Sequence, residues 1–370
     1  MKLAIPFMIL ILACGWPRPV AAGNPNLVPG VWKNVTPPDV TTSFKDHVFC
    51  QGVTVDPKNP ATVYLCVCAF DAAKGGLFKT TDSGATWKKI GPLDEPLHVA
   101  VNPNDSKHLY CVDGVRGKTL GFWVSKDGGG SWSMPDGFKK ATEKPVGTRD
   151  LYSLAVDPAD FKHVLVSFHS PWADGKNCGV LESNDGGESW TAHAPPPTLK
   201  GGYGMAIFFL FDPVKKIGDK NTWLFTAQEG GFFKTTDGGK TWANVYKNSM
   251  THGGNQLHRA KDGTLYSGGY QYPARSTDNG SSWEQVKKGL VYSWYMGVCG
   301  DGENIYIASS SKSQPFFVSP ETDGLNWKPL NDQKFSAVPF EMAYDPINKI
   351  LYSASWEEGL LAIKLGAGKQ

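Results

Sequence analysis

A chain of 370 residues with a formal net charge of +2 carries no field strong enough to hold a phosphate backbone, and it has no block of Lys and Arg, which excludes nucleic acid as a partner. Charged residues make up only 19%, beside 42 glycines and 12% aromatics, which is the composition of many short strands and tight turns rather than of helical bundles. Beyond the N-terminus no stretch is apolar for long enough to form a transmembrane helix.

The chain opens with Lys2 and an apolar run from Leu3 to Ala13, an export signal too short to span a bilayer. Two processing sites compete. Val20-Ala21-Ala22 before Gly23 offers a small-residue cleavage site and a signal over 1–22, whereas Ile11-Leu12-Ala13-Cys14 resembles a bacterial lipoprotein box, ending the signal at 13 and placing a lipid anchor on Cys14. The mature chain is expected to be secreted or periplasmic, held at the cell surface in the second case, with 23–370 forming one domain.

The next segment, Val31-Trp32-Lys33-Asn34-Val35, matches Thr86-Trp87-Lys88-Lys89-Ile90 further along. That second stretch follows the first copy of a repeated motif, Ser/Thr-x-Asp-x-Gly-x-Ser/Thr-Trp. The motif's Asp stands at Asp82, Asp127, Asp185, Asp237 and Asp278, and a degenerate sixth copy keeps Asp323, Gly324 and Trp327. Its chemistry is that of a hairpin turn: Asp accepts from backbone N–H groups, Gly allows positive φ, the hydroxyls tie the flanks and Trp anchors the next strand. Alternating strands ending in Asp/Asn-Pro precede these turns, at Pro57, Pro103, Pro158, Pro213 and Pro346, with Asp262-Gly263 and Asp301-Gly302 replacing them in two units.

Each unit reads as four antiparallel strands, and there are seven starts. The expected fold is all-β, a seven-bladed β-propeller. The last unit, from Phe340 to Leu365, lacks its outer strand, so the Trp32 segment should complete it and close the ring. Six cysteines follow Cys14. With Val55 opposite Val63, Cys50 would fall opposite Cys68, as a cross-strand disulfide or as two small buried apolar side chains.

On these motifs the chain resembles the Asp-box (BNR-repeat) propellers, a group that includes sialidases, xyloglucan-active glycoside hydrolases, sortilin-type receptor domains and a photosystem assembly factor. Gly76-Leu77-Phe78-Lys79-Thr80-Thr81-Asp82 and Gly231-Phe232-Phe233-Lys234-Thr235-Thr236-Asp237 are nearest in style to the xyloglucanase and sortilin blades. Sialidases of the group grip a carboxylate with three converging arginines. This chain has five in all, and only Arg116 and Arg149 fall in loops of the relevant face.

The repeated Asp cannot converge on one site, so chemistry is expected at the opposite face, where the blades differ. Counting back from each inner-strand landmark places Asp46, His47, Asp94, Glu95, Arg149, Asp150, Tyr203, His252 and Trp294 in loops leading into the blades. Loops within blades on the same face supply His169, Trp172, Glu229, Tyr270, Tyr272, Trp356 and Glu357. Glu229 is the first catalytic candidate with Asp150 as partner, since glycoside hydrolysis needs two carboxyl groups about 5–10 Å apart. His47, His252 and Tyr203 are the remaining catalytic candidates. Asp46, Arg149, His169, Trp172, Tyr270, Tyr272, Trp294, Trp356 and Glu357 are the candidates for binding a polysaccharide or oligosaccharide.

Three readings stay open: a glycoside hydrolase; a lyase on uronic-acid glycans, with His47 or His252 as base beside Tyr203 and Arg149; and a non-catalytic glycan- or protein-binding propeller. No cofactor is required, although His47, His169 and His252 would suit a divalent metal if they met.

Overall fold

The repeated Asp turns close as their chemistry demands. In the first copy, Thr80 Oγ1 donates to Asp82 Oδ1 at 2.6 Å, and Asp82 accepts from the Thr86 N–H at 2.8 Å and the Thr86 hydroxyl at 2.6 Å. Gly84 N donates back to Thr80 Oγ1 while Gly84 takes φ +86°, a conformation that a side chain would strain. The same net recurs around Asp127, Asp185, Asp237 and Asp278. Where the copy is degenerate, Asp323 instead accepts from the Asn326 side chain.

The computed structural model describes residues 23–173, 178–199, 205–227, 230–247, 256–335 and 339–366, and within them the strands form seven antiparallel sheets. Blade 1 runs Val48–Val55, Val63–Ala69, Gly76–Thr80, Lys88–Ile90. Blade 2 has Pro96–Asn102, Asp105–Asp113 and Gly121–Ser125; blade 3 has Leu151–Asp157, Asp160–Phe168, Val180–Ser183 and Thr191–His193. Blade 4 begins at Met205–Phe209, blade 5 at Leu257–Arg259, blade 6 at Tyr295–Gly300 and blade 7 at Pro339–Asp345. This is the expected seven-bladed β-propeller.

The first strands of successive blades face one another around the axis. Thr54 Oγ1 bonds Val99 O at 2.8 Å, and the Gln256 side chain accepts from both Val298 N and Met342 N, joining blades 5, 6 and 7. Further out, Lys79 and Lys234 each reach a backbone carbonyl in the next blade's Asp turn.

Ring closure follows the sequence reading. Trp32–Asn34 pairs antiparallel with Gly359–Lys364, with Trp32 opposite Ile363. Gln333 accepts from Trp32 N and donates to Trp32 O, and the Trp32 ring stacks on Phe316 at 4.2 Å between blades 6 and 7.

Two expectations are corrected. Blade 2 has three strands rather than four, because after Trp132 only Ser133 bridges back to Val124 before Met134-Pro135 leads into the helix Asp136–Ala141. Proline has no N–H to continue the ladder but is well placed just before a helix. Val55 does oppose Val63, but a bulge between Cys50 and Gly52 slips the register by one, so Cys50 faces Val67 and Cys68 faces Phe49. Cys50 and Cys68 are free buried thiols rather than a disulfide.

Candidate functional site

On the face opposite the Asp turns, loops of blades 7, 1, 2 and 3 enclose a cavity of about 310 Å³. Its wall is aromatic, from Phe44, Phe49, Tyr152 and Trp356, and its polar contributors include His47, Arg116 and His169. Phe44 is held edge-on to Phe49 and Trp356, and Trp356 donates from Nε1 to Gln51 Oε1 at 2.8 Å while its ring stacks on Phe340. The platform is therefore fixed in shape. Phe70, half exposed, extends it by lying flat on the His47 ring at 3.6 Å.

Each histidine stands in front of a buried carboxylate. His169 Nδ1 lies 2.9 Å from Asp150 Oδ2, which also accepts from the Ser170 hydroxyl, while Asp150 Oδ1 accepts from Arg116 N at 3.3 Å. Burial alone would raise the Asp150 carboxyl, but the hydrogen bonds from His169 and Ser170 win and hold it below its ordinary value. Asp150 is thus an anion that fixes the His169 tautomer and ring direction.

His47 sits at φ +51° at the end of the loop before the first strand of blade 1, with Nε2 3.7 Å from Glu95 Oε1. That is ion-pair range but too long for a hydrogen bond. Glu95 is fully buried, and neither of its oxygens has a hydrogen-bond donor among the described residues. Burial accordingly pushes its carboxyl above the ordinary value, with His47 only partly opposing. Two carboxyl groups behind one cavity are tuned in opposite directions, Asp150 down by its hydrogen bonds and Glu95 up by burial.

Behind Glu95 lies another buried carboxyl group, Asp113. Thr119 Oγ1 is 2.6 Å from Asp94 Oδ1 and 3.0 Å from Asp113 Oδ2, yet a hydroxyl has one hydrogen to give. With that hydrogen on Asp94, which also accepts from Lys118 N and Thr119 N, the contact to Asp113 requires a proton on Asp113. Burial first, and then the Asp94 charge, push Asp113 up to about 8 from an ordinary 3.8. The folded chain keeps a proton that the unfolded chain releases, so the associated stability is complete below about pH 4 and is lost as pH rises to about 8. Asp113→Asn is therefore expected to flatten the fall in melting temperature between pH 5 and 8; an unchanged profile would count against a protonated Asp113.

Of the residues singled out from sequence, His47, His169 and Trp356 line this cavity and Asp150 stands directly behind it. Glu229, Tyr203 and His252 lie outside the described residues. Several others are placed elsewhere. Asp46 is an exposed turn residue bonded to Ser43, and Arg149 turns away to donate to Thr142 Oγ1 beside the helix. Trp172 is buried edge-on to Phe168, a core residue rather than a sugar platform. Glu357 lies 4.0 Å from Lys312 at the rim.

Tyr270 and Trp294 lie tilted to each other at 6.5 Å and Tyr272 meets Tyr292 edge-on at 6.0 Å, forming a separate, partly exposed aromatic group over blades 5 and 6. Among the described residues no three His, Cys, Asp or Glu side chains converge to hold a metal, and His47 and His169 are each directed at their own carboxylate. Phe44, Phe49 and Tyr152 were not among the sequence-derived site residues, and Glu95, placed with Asp94 in the loop leading into blade 2, was not among the catalytic candidates. Nothing local in the sequence distinguishes it from Asp94.

No family model matches the chain. It is 26% identical over 288 residues to a probable oligoxyloglucan-reducing end-specific xyloglucanase of Neosartorya fischeri, a match covering 72% of this chain and 33% of that protein. The chain thus spans about a third of that curated relative's length. Among solved structures, the GH74 enzyme of Niastella koreensis superposes with a TM-score of 0.64 at 16% identity, over 91% of this chain and 54% of that one. A structure of YCF48 bound to D1 peptide superposes with a TM-score of 0.62 at 14% identity, over 93% of this chain and 99% of that one. Both share the propeller fold.

Proposed function

We propose that the chain is a glycoside hydrolase acting on a polysaccharide or oligosaccharide at the aromatic cavity of blades 7, 1, 2 and 3. The observation that carries the reading is the pair of imidazoles lining one cavity, each backed by a carboxyl group, with Asp150 held ionised and Glu95 held toward its protonated form. The sequence likeness to a xyloglucanase supports the same class of substrate.

In this reading the rings of Phe44, Phe70 and Trp356 stack on sugar faces and exclude water from the scissile bond. His169, oriented by Asp150, and His47, backed by Glu95, exchange protons with the glycosidic oxygen and the attacking water. Among the described residues of the cavity wall there is no Asp or Glu, so Asp150 and Glu95 act through the imidazoles rather than on the sugar directly. The reading also places the protein outside the cytoplasm, with 1–22 or 1–13 as its export signal, Cys14 as the anchor in the second case and 23–370 as one domain.

The test is to incubate the purified protein with xyloglucan and a panel of other polysaccharides, following both new reducing ends and ultraviolet absorbance. Reducing ends without absorbance are expected. Products that absorb would mark the uronate lyase instead. A second reading, a binding propeller, is favoured by the end-to-end match to a single-propeller chain solved with a peptide, and it is the outcome if no substrate turns over while ligand binds tightly.

A further inference from the structure

The basic groups of the cavity ask for a particular kind of sugar. Of the four arginines among the described residues, Arg149 donates to Thr142, Arg259 pairs with Asp212 at 3.2 Å and Arg275 with Glu284 at 2.9 Å. Arg116 alone has no side-chain partner among the described residues, and it lines the cavity with His47 and His169. His47 and His169 face Glu95 and Asp150, whereas among the described residues of the wall no acidic side chain meets the Arg116 guanidinium.

Arg116 is also held in place by its backbone. Val115 and Arg116 both take left-handed φ, +56° and +74°, a costly arrangement for two consecutive residues with side chains. The loop is pinned on either side: Arg116 N donates to Asp150, and Lys118 N and Thr119 N donate to Asp94. Gly117 packs so tightly that a Cβ there would come within 2.7 Å of Asp94 Oδ1 and Glu95 Cγ. Strain maintained by surrounding bonds, at a residue whose charge is unspent, marks a residue presented to a ligand.

We infer that the cavity takes a sugar bearing a carboxylate, with the Arg116 guanidinium accepting that carboxylate as a two-pronged donor while the ring stacks on the aromatic wall. This rests on the glycoside hydrolase reading for the word sugar, but not for the charge. The aromatic platform, made of ring faces suited to pyranoses, favours a glycan over a peptide carboxylate.

The experiment is calorimetric titration of wild type, Arg116→Gln and Arg116→Lys. The ligands are oligogalacturonate, matched neutral galacto-oligosaccharide, a galactose sulfate and an N-acetylated peptide with a free C-terminus. Melting curves confirm that each variant is folded. Wild type should bind the uronate at least about tenfold more tightly than the neutral sugar, the usual range for a hydrogen bond to a charged group. Arg116→Gln should bring that ratio close to one, with Arg116→Lys intermediate.

Equal affinity for acidic and neutral sugars, a preference that survives Arg116→Gln, or stronger binding of sulfate or peptide would each overturn the inference. The two failures are separable. Release of reducing ends from a neutral glycan without any acidic preference leaves the hydrolase standing and removes the uronate. Arg116-dependent uronate binding without released reducing ends does the reverse.

Discussion

His169→Ala is expected to lower kcat/KM on the responsive glycan by two to four orders of magnitude, and Asp150→Asn to approach the same loss although it substitutes no residue of the cavity wall. The size is that of a positioned acid–base group. Asp150 is not itself among the wall residues, yet it accepts from the His169 ring, the Ser170 hydroxyl and Arg116 N, so it sets both the ring direction and which nitrogen carries the proton. An Asn there offers one acceptor oxygen and an NH₂, and it cannot hold an imidazolium. A structural role alone would move the melting temperature and leave the pH–rate profile in place. The account requires that the limb assigned to His169 shift or vanish in Asp150→Asn at a melting temperature close to wild type, and full activity in His169→Ala would remove the residue from the mechanism.

The second large effect is on stability. Trp32→Ala should cost about 3–5 kcal/mol, the range for deleting a large buried aromatic side chain. Trp32 is almost fully buried, stacks on Phe316 and meets Phe335 edge-on at 6.4 Å. Its strand is also the outer strand of blade 7, bonded through Gln333 and through Leu360 N to Thr36 Oγ1. Loss of the ring therefore loosens the seam where the two ends of the propeller meet, and chemical denaturation should show it as a lowered midpoint. A midpoint shift below about 1 kcal/mol would mean that the ring closes without this strand.

The architecture was legible because the Asp turn encodes its own hydrogen bonds: a Ser or Thr two residues before Asp, and another four after it, specify a net that needs no distant partner. What escaped depended on contacts between segments far apart. The bulge at Gln51 that separates Cys50 from Cys68 leaves no trace in an alternating pattern. Trp172 looks like a loop aromatic until Phe168 and Gly179 are seen beneath it. Arg149 is drawn off by Thr142, which belongs to the segment inserted where blade 2 omits its fourth strand.

The site was legible in part for the same reason. His47 and Asp150 fall in loops leading into blades and His169 and Trp356 in loops within blades on the same face, so the blade repeat itself locates them. Glu95 differs from its neighbour Asp94 only in what packs around it, since Asp94 collects Thr119 and Lys118 donors while Glu95 receives none. No one-dimensional pattern carries that distinction.

The most direct test of the central claim is release of reducing ends from xyloglucan and the polysaccharide panel by wild type beside His47→Ala and His169→Ala. The account predicts turnover by wild type on at least one glycan, without ultraviolet-absorbing product, and its loss by at least a hundredfold in both folded variants. Turnover that survives in both variants, or none by wild type on any glycan, would contradict it.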